Sequence, residues 1–224
     1  MSLRKFDVTI IGAGVIGCAI ASNLSNSHSN ILVIEAMPEV GTSTSRRNSG
    51  VIHSGIYYRS NFLKTTLAIE GQQMLYEWVL NKRIPYKKLG KIVVAFSDNQ
   101  LDSLENLYKQ AKKNNCANVA LVTKQKIHQL EPNIKSPLAG LVCQDTGIMN
   151  PMDLTTSLFK DALSKKVEFK FNTTLLEIEK LGTSGFKLRT QKDQSLSRVV
   201  INCSGLYADR ISAMAGINKY KIYP

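Results

Sequence analysis

The run Val8-Thr9-Ile10-Ile11-Gly12-Ala13-Gly14-Val15-Ile16-Gly17 constrains the fold more than any other stretch of this chain. Val8–Ile11 is a short β-branched run of the kind that forms a fully buried parallel strand. Three glycines follow in G-x-G-x-x-G spacing, and Ala19, Ile20, Ala21 and Leu24 continue an apolar helical face to about Ser27. Ile31–Ile34 supplies a second buried strand, with Glu35 at its end. Each residue has a task in that order: Gly12 permits the tight turn, Gly14 lets a pyrophosphate approach the backbone, and Gly17 allows close packing of helix on strand. The helix N-terminus presents its free N–H groups to the phosphates. Glu35, 18 residues beyond Gly17, is placed to accept hydrogen bonds from a ribose hydroxyl and disfavours a 2′-phosphate by charge repulsion. Strand, motif, helix, strand and acid in this sequence specify the opening of an α/β dinucleotide-binding domain. They do not decide between NAD and FAD.

Composition excludes several classes. With 224 residues, 43% hydrophobic and 21% charged, the chain is long enough for one large domain or a domain with an insertion, and is not a disordered protein. Its longest apolar stretches are broken by glycine and fall short of a membrane span. Lys and Arg number 29 against 17 Asp and Glu, a net charge of +12. The lysines are scattered as pairs (Lys87-Lys88, Lys112-Lys113, Lys165-Lys166), the pattern of solvated faces, so no nucleic-acid partner is expected. The charge is compatible with peripheral contact at an anionic membrane, although no amphipathic anchor stands out. Cys18, Cys116, Cys143 and Cys203 form no C-x-x-C and show no metal-like spacing, which points to a reducing, cytoplasmic setting and no metal site. Met1–Lys5 leads straight into the first strand without an h-region or cleavage site, so no secretory signal is expected.

The polar, glycine-rich segment Gly41–Gly55 interrupts a region otherwise full of buried strands, and a long loop there is expected to be functional. Its hydroxyls, amide and arginines suit phosphate and ribitol oxygens. Together with the opening motif, Asn48-Ser49-Gly50-Val51-Ile52-His53-Ser54-Gly55-Ile56-Tyr57-Tyr58 resembles the FAD-dependent oxidoreductases of the D-amino-acid oxidase superfamily. Within them it is most similar to the L-2-hydroxyglutarate dehydrogenase/oxidase branch, with a sister similarity to flavin-dependent glycerol-3-phosphate oxidases and dehydrogenases. Gly90–Ala95, the Leu130-Glu131-Pro132-Asn133-Ile134 turn and Asn202-Cys203-Ser204-Gly205-Leu206-Tyr207-Ala208-Asp209-Arg210 carry the same resemblance. Arg47 departs from it, standing where that branch usually has His. The resemblance also implies further substrate-binding strands and a flavin-contacting glycine segment beyond Pro224.

Along the rest of the chain, Leu63–Leu80 has helical periodicity, with Met74 and Trp78 expected to fill core. A strand over Leu89–Phe96 follows, then a Ser97-x-x-Gln100 capping box opening a helix to about Asn114. A short helix over Lys124–Leu130 stops before Glu131-Pro132. Strand pieces are expected at Leu138–Cys143 and Gly147–Met149, and Asn150-Pro151-Met152-Asp153 starts a helix to about Ser164. Strands at Val167–Phe171 and Leu175–Lys180, a turn at Gly182–Gly185, Phe186–Thr190 and a buried strand at Arg198–Cys203 complete the pattern. The fold expected is α/β: a Rossmann-like FAD-binding domain with an interleaved, incomplete α+β substrate domain. Its parts would be residues 1–85 and 150–217 for the FAD domain, 86–149 for part of the substrate domain, and 218–224 for the start of a further substrate-domain strand.

By resemblance, the reaction is oxidation of a 2-hydroxy acid to the 2-oxo acid, with FAD as cofactor and oxygen or a quinone as electron acceptor. His53 is the candidate base, because an imidazole titrating near neutrality suits that task; the same ring could instead only hydrogen-bond flavin or backbone. Arg59 and Lys64 could meet a substrate carboxylate or simply be exposed charge, while His28 and His128 carry no signal. Gly12, Gly14 and Gly17 would hold the pyrophosphate and Glu35 the adenosine ribose. Ser45, Arg46, Asn48 and Ser49 would line the diphosphate or ribitol. Leu175 would meet adenine through its backbone, and Ser204 and Gly205 form a second close backbone approach, where a side chain on Gly205 would collide with the cofactor. Glycerol-3-phosphate oxidation is the alternative reaction. A fragment without activity, at most a nucleotide-binding module needing a second chain to complete it, is the alternative of a different class.

Overall fold

A computed structural model describes residues 3–27 and 30–223. His28, one of the histidines weighed above, lies outside the described residues. The chain forms two compact units, one from Met1–Asn48 with Pro151–Pro224 and the other from Ser49–Asn150.

The first unit is built on a six-stranded sheet. Its centre is β1 (Arg4–Ile11), flanked by β2 (Ile31–Ile34) and the long β12 (Gln194–Asn202), both parallel to it. β9 (Glu168–Lys170) extends the parallel side beyond β2. β11 (Phe186–Thr190) and β10 (Leu175–Lys180) extend the other side as antiparallel strands. The central strands are apolar on both faces, as a strand covered on both sides requires: Ile10, Leu32 and Val33 are completely buried. One layer contains α1 (Val15–Leu24), packed against α5 (Pro151–Ser164). That helix pair is joined by a polar cluster in which the Ser22 hydroxyl donates to Asp161 at 2.7 Å and Lys165 pairs with the same carboxylate at 2.7 Å. A second apolar layer gathers Phe6, Ile11, Leu32, Ile34 and Leu188, with Ile211 and Met214 of α6 (Ala208–Met214) packed on it.

The second unit contains two small antiparallel sheets. In one, β8 (Gly147–Met149) lies between β3 (Val51–Ile52) and β4 (Tyr86–Lys87). In the other, β7 (Ala139–Cys143) lies between β5 (Lys91–Ala95) and β6 (Val119–Thr123). α2 (Leu63–Asn81), α3 (Asp98–Lys113) and α4 (Lys124–Leu130) complete it. Leu104 and Ala111 of α3 form a core with Ile56, Ala95, Cys116, Val119, Leu141 and Cys143.

Several local expectations change. The second unit begins at Ser49 rather than at residue 86, because β3 and β4 find their hydrogen-bonding partner in β8, across a large sequence separation that periodicity does not reveal. Met74 is 66% exposed and does not fill core, and Leu63, Leu67 and Leu80 on the same helix are exposed as well. At the capping box, the Gln100 side chain accepts from the Phe96 N–H at 2.7 Å, one residue before the cap, and the Ser97 side chain turns to Asn99. Instead of ending the buried strand expected from Arg198, Cys203 follows it: β12 starts at Gln194 and leaves Val199 42% exposed. Residues 218–223 form no strand.

Candidate functional site

Two of the three glycines, Gly12 and Gly17, occupy positions that no other residue could take without moving backbone. A Cβ on Gly17 would lie 1.9 Å from the Gly12 carbonyl oxygen. At Gly12, φ is +105°, and a Cβ would sit 2.6 Å from the Cys203 carbonyl oxygen. The turn is therefore clamped between α1 and the end of β12. Gly14 stands at the N-cap of α1 with no side-chain cap. A Cβ there would stand 3.1 Å from the Ser45 hydroxyl, which would have to give way by a few tenths of an ångström.

Ser45 reaches this terminus from a 3-10 turn over Thr44–Arg46, and its hydroxyl accepts from the Val15 N–H at 2.9 Å. It thus replaces the cap that glycine cannot provide. Asn48 folds back on the same turn, donating to the Ser45 carbonyl at 2.8 Å. Arg47 donates to the Thr42 and Ser43 carbonyls at 3.1 and 3.3 Å, so the residue that departs from the expected pattern braces the turn from within. Arg46 is exposed.

Glu35 has a duty that the sequence did not disclose. One carboxylate oxygen accepts from the Ala13 N–H at 2.7 Å and the other from the Met37 N–H at 2.8 Å. The acid therefore ties the middle of the glycine turn to the end of β2. A carboxylate oxygen has a second lone pair, so both can still accept from a ribose hydroxyl. The Glu35 backbone carbonyl accepts from the Thr173 N–H at 2.9 Å, which brings the start of β10, and Leu175 with it, to this end of the sheet. Leu175 itself is buried in the apolar layer. Burial, reinforced by the negative charge of Glu35 and by Cys203, pushes the Cys18 thiol up to about 12, so this cysteine under the turn stays protonated.

Asn202 is the residue the sequence reading overlooked in the second glycine turn. Its side-chain oxygen accepts from the Ser204 hydroxyl at 2.6 Å while its amide donates to the Ala208 carbonyl at 2.8 Å. These bonds fold residues 202–208 into a fixed turn. Gly205 has φ +56°, and a Cβ there would meet only the Thr44 hydroxyl, at 3.7 Å. Within the protein, then, glycine is required here by the left-handed backbone and not by a collision; space is left over the turn for a ligand.

The fit to a dinucleotide rests on these features: a helix N-terminus whose N-cap residue, Gly14, carries no side chain, a glycine turn packed too closely for side chains at Gly12 and Gly17, and an acid at the end of β2. Gly12, Gly14, Gly17, Glu35, Ser45, Ser204 and Gly205 are gathered at one end of the parallel sheet.

The remaining candidates belong to the second unit. Ser49 is exposed at its start, and His53 is exposed on the loop that follows β3. That loop is held by side chains at nearly every carbonyl. Gln72 donates to the His53 carbonyl at 3.0 Å, the Cys116 thiol to that of Ser54 at 3.1 Å, and Gln110 to that of Ile56 at 3.1 Å. Asn114 donates to the Gly55 and Tyr58 carbonyls at 3.2 and 2.7 Å, and Thr65 to that of Arg59 at 2.6 Å. Partial burial of the imidazole, then the charges of Lys91 and Lys64, hold His53 below the usual histidine range. It is neutral at physiological pH, the state a base requires. Arg59 lies over the Phe62 ring at 5.4 Å. His128 lies on α4, away from these groups in sequence.

Among the described residues, no helix is long and apolar enough to cross a membrane. The chain is 36% identical over 220 residues to a glycerol 3-phosphate dehydrogenase of Caloramator mitchellensis, covering 98% of this chain and 46% of that protein. It is 31% identical over 228 residues to the mitochondrial L-2-hydroxyglutarate dehydrogenase of Homo sapiens, covering 96% and 49%. The solved structure of L-alpha-glycerophosphate oxidase from Mycoplasma pneumoniae with FAD bound superposes with a TM-score of 0.86 at 28% identity, over 95% of this chain and 57% of that one. The chain thus spans about half the length of the curated relatives it matches. The family model described as FAD dependent oxidoreductase matches residues 7–224, and with the dinucleotide cradle already in place the chain belongs to the FAD dependent oxidoreductase family.

Proposed function

We propose that the chain takes part in the FAD-dependent oxidation of an anionic hydroxy compound, with L-2-hydroxyglutarate as the first candidate and glycerol 3-phosphate as the second. The observation that carries this reading is the pairing of chemistries in one chain: a dinucleotide cradle in one unit, and a neutral histidine among lysines in the other. The named relatives act on two substrates that share a secondary hydroxyl and an anionic group.

FAD, when bound, supplies the acceptor for the hydride that leaves the carbon bearing the hydroxyl. Gly12, Gly14 and Gly17 would hold its pyrophosphate against the α1 N-terminus, and Glu35 its ribose. Ser45, Arg46, Asn48 and Ser49 would line the diphosphate and ribitol, with Ser204 and Gly205 forming the second backbone approach and the Leu175 backbone meeting adenine. His53 would take the hydroxyl proton on a ring nitrogen as the carbon–hydrogen bond breaks. The tethered carbonyls of the 53–59 loop fix the backbone from which this ring projects. On this reading Ser49–Asn150 contributes the substrate-facing surface.

The test is anaerobic addition of each compound to the FAD-loaded chain while the absorbance near 450 nm is followed. Bleaching by L-2-hydroxyglutarate supports the first reading, and bleaching by glycerol 3-phosphate alone supports the second. A fully loaded, folded protein bleached by neither contradicts both.

A further inference from the structure

The loop over residues 53–59 is an unusual piece of surface. Surface loops ordinarily leave their carbonyls to water, yet here the carbonyls of His53, Ser54, Gly55, Ile56, Tyr58 and Arg59 are each taken by a side chain from α2, α3 or the segment after it. Asn114, 8% exposed, holds two of them and also accepts from the Ser60 hydroxyl at 2.7 Å. This rigidity is spent on a stretch whose side chains His53 and Tyr57 face solvent.

Two cations converge on that stretch from different elements. The Lys64 ammonium, from the first turn of α2, sits over the Tyr58 ring at 4.6 Å. The Lys91 ammonium, from the first residue of β5, sits over the Tyr57 ring at 4.9 Å. Neither has a carboxylate within ion-pair distance among the described residues, whereas the neighbouring Lys88 is paired with Asp145 at 2.7 Å. An aromatic face holds an ammonium in place without neutralising it. Both charges also reach the His53 imidazole, whose protonation they oppose.

We infer that Lys64 and Lys91, positioned on the tyrosine faces of the 53–59 loop, form a two-point site for the anionic group of the substrate beside His53. The site selects for a carboxylate or phosphate, and for substrates carrying one within reach of the hydroxyl to be oxidised. It rests on the proposed reaction for the identity of the ligand, but its anion binding stands apart from turnover. Lys91 is the new element, since nothing in its sequence context separates it from the other lysines.

The experiment follows the His53 imidazole proton by NMR in the full chain, assigned with His53→Gln, during titration with L-2-hydroxyglutarate, glycerol 3-phosphate, inorganic phosphate and, as the uncharged control, glycerol. Saturable shifts are expected with the anions and none with glycerol. Lys64→Gln and Lys91→Gln should each raise the apparent Kd about tenfold, the loss of one charge-assisted contact, and Lys91→Arg should restore most of it. Circular dichroism of each variant confirms that the fold is kept. A shift with phosphate but not with glycerol 3-phosphate or L-2-hydroxyglutarate would mark an adventitious anion site and overturn the inference. Unchanged Kd in both glutamine variants, or no shift with any anion, would overturn it too. Its failure is separable from that of the reaction: if flavin is reduced with an unchanged KM in both glutamine variants, the lysine site is wrong and the reaction stands. If the anions bind as expected but neither substrate reduces flavin, the reaction is wrong and the site stands.

Discussion

Replacing Gly17 and Gly71 by alanine makes the same chemical change on two helices with opposite consequences. At Gly71, in the middle of α2, an added Cβ meets nothing within 4 Å. Alanine there gains the ordinary helix preference over glycine, about 0.5–1 kcal/mol. At Gly17 the added Cβ would stand 1.9 Å from the Gly12 carbonyl oxygen and 3.1 Å from its carbon. Both are backbone atoms, and the closest approach a real Cβ makes is 3.0 Å, so helix and turn must part by about 1 Å. The turn cannot yield the other way, because Gly12 is itself against the Cys203 carbonyl. Overpacking of this kind costs about 1–3 kcal/mol, and loosening the Ala13 N–H bond to Glu35 adds about 1, against a helix gain of about 1. The net loss expected is about 2 kcal/mol. At about 2–4 °C per kcal/mol for a chain of this size, the two variants should differ in Tm by roughly 5–12 °C, read by circular dichroism without FAD. A Gly17→Ala chain as stable as the parent, or two variants shifted in the same direction, would refute the packing argument.

Thr9→Val should stabilise the chain by about 1 kcal/mol in urea titration, because the Thr9 hydroxyl is buried in β1 with no hydrogen-bond partner among the described residues and valine keeps the shape. Glu35→Gln should destabilise even the FAD-free protein by about 1–3 kcal/mol, since an amide can satisfy only one of the two N–H groups at Ala13 and Met37; no change in the urea midpoint would reduce Glu35 to a ligand contact. Burial pushes Cys18 to about 12 and Cys116 to about 11, so neither should react with iodoacetamide at pH 8 until denaturant is added, and rapid native labelling at either site would contradict their placement. His53, held below the usual histidine range, favours the neutral native state. The unfolded chain therefore binds the extra proton first as pH falls, and stability should decline from about pH 6.5 downward until the native imidazole also protonates. His53→Gln should remove that part of the pH dependence in urea midpoints measured between pH 7 and 5.

Where one local rule governs a residue, the sequence was readable. Gly12, Gly14, Gly17 and Glu35 announce themselves by spacing, and α4 and α5 have the bounds that their caps and prolines dictate. Long-range pairing was harder to read. β3 is two residues long, and only β8, almost a hundred positions later, makes it a strand. The same pairing moved the unit boundary to Ser49. Met74 follows helical periodicity but lies on a face left open, because an amphipathic pattern shows that a helix has an apolar side and not what covers it. In the site, Ser45 was visible as a hydroxyl in a polar loop, but its place over the α1 terminus is a tertiary fact. Asn202, Asn114 and Lys91 were hidden for the same reason: an asparagine that folds a turn, or a lysine that rests on a tyrosine, has no signature until its partners are next to it.

The most direct test of the account is an equilibrium titration of the purified 224-residue protein with FAD, read by quenching of flavin fluorescence, in parallel with Gly14→Val. The cradle at the α1 terminus predicts about one flavin per chain and a large loss of affinity in the variant, whose side chain would fill the phosphate approach. A folded parent chain that binds no flavin, or a variant that binds it equally well, would contradict the claim that this glycine turn holds the cofactor.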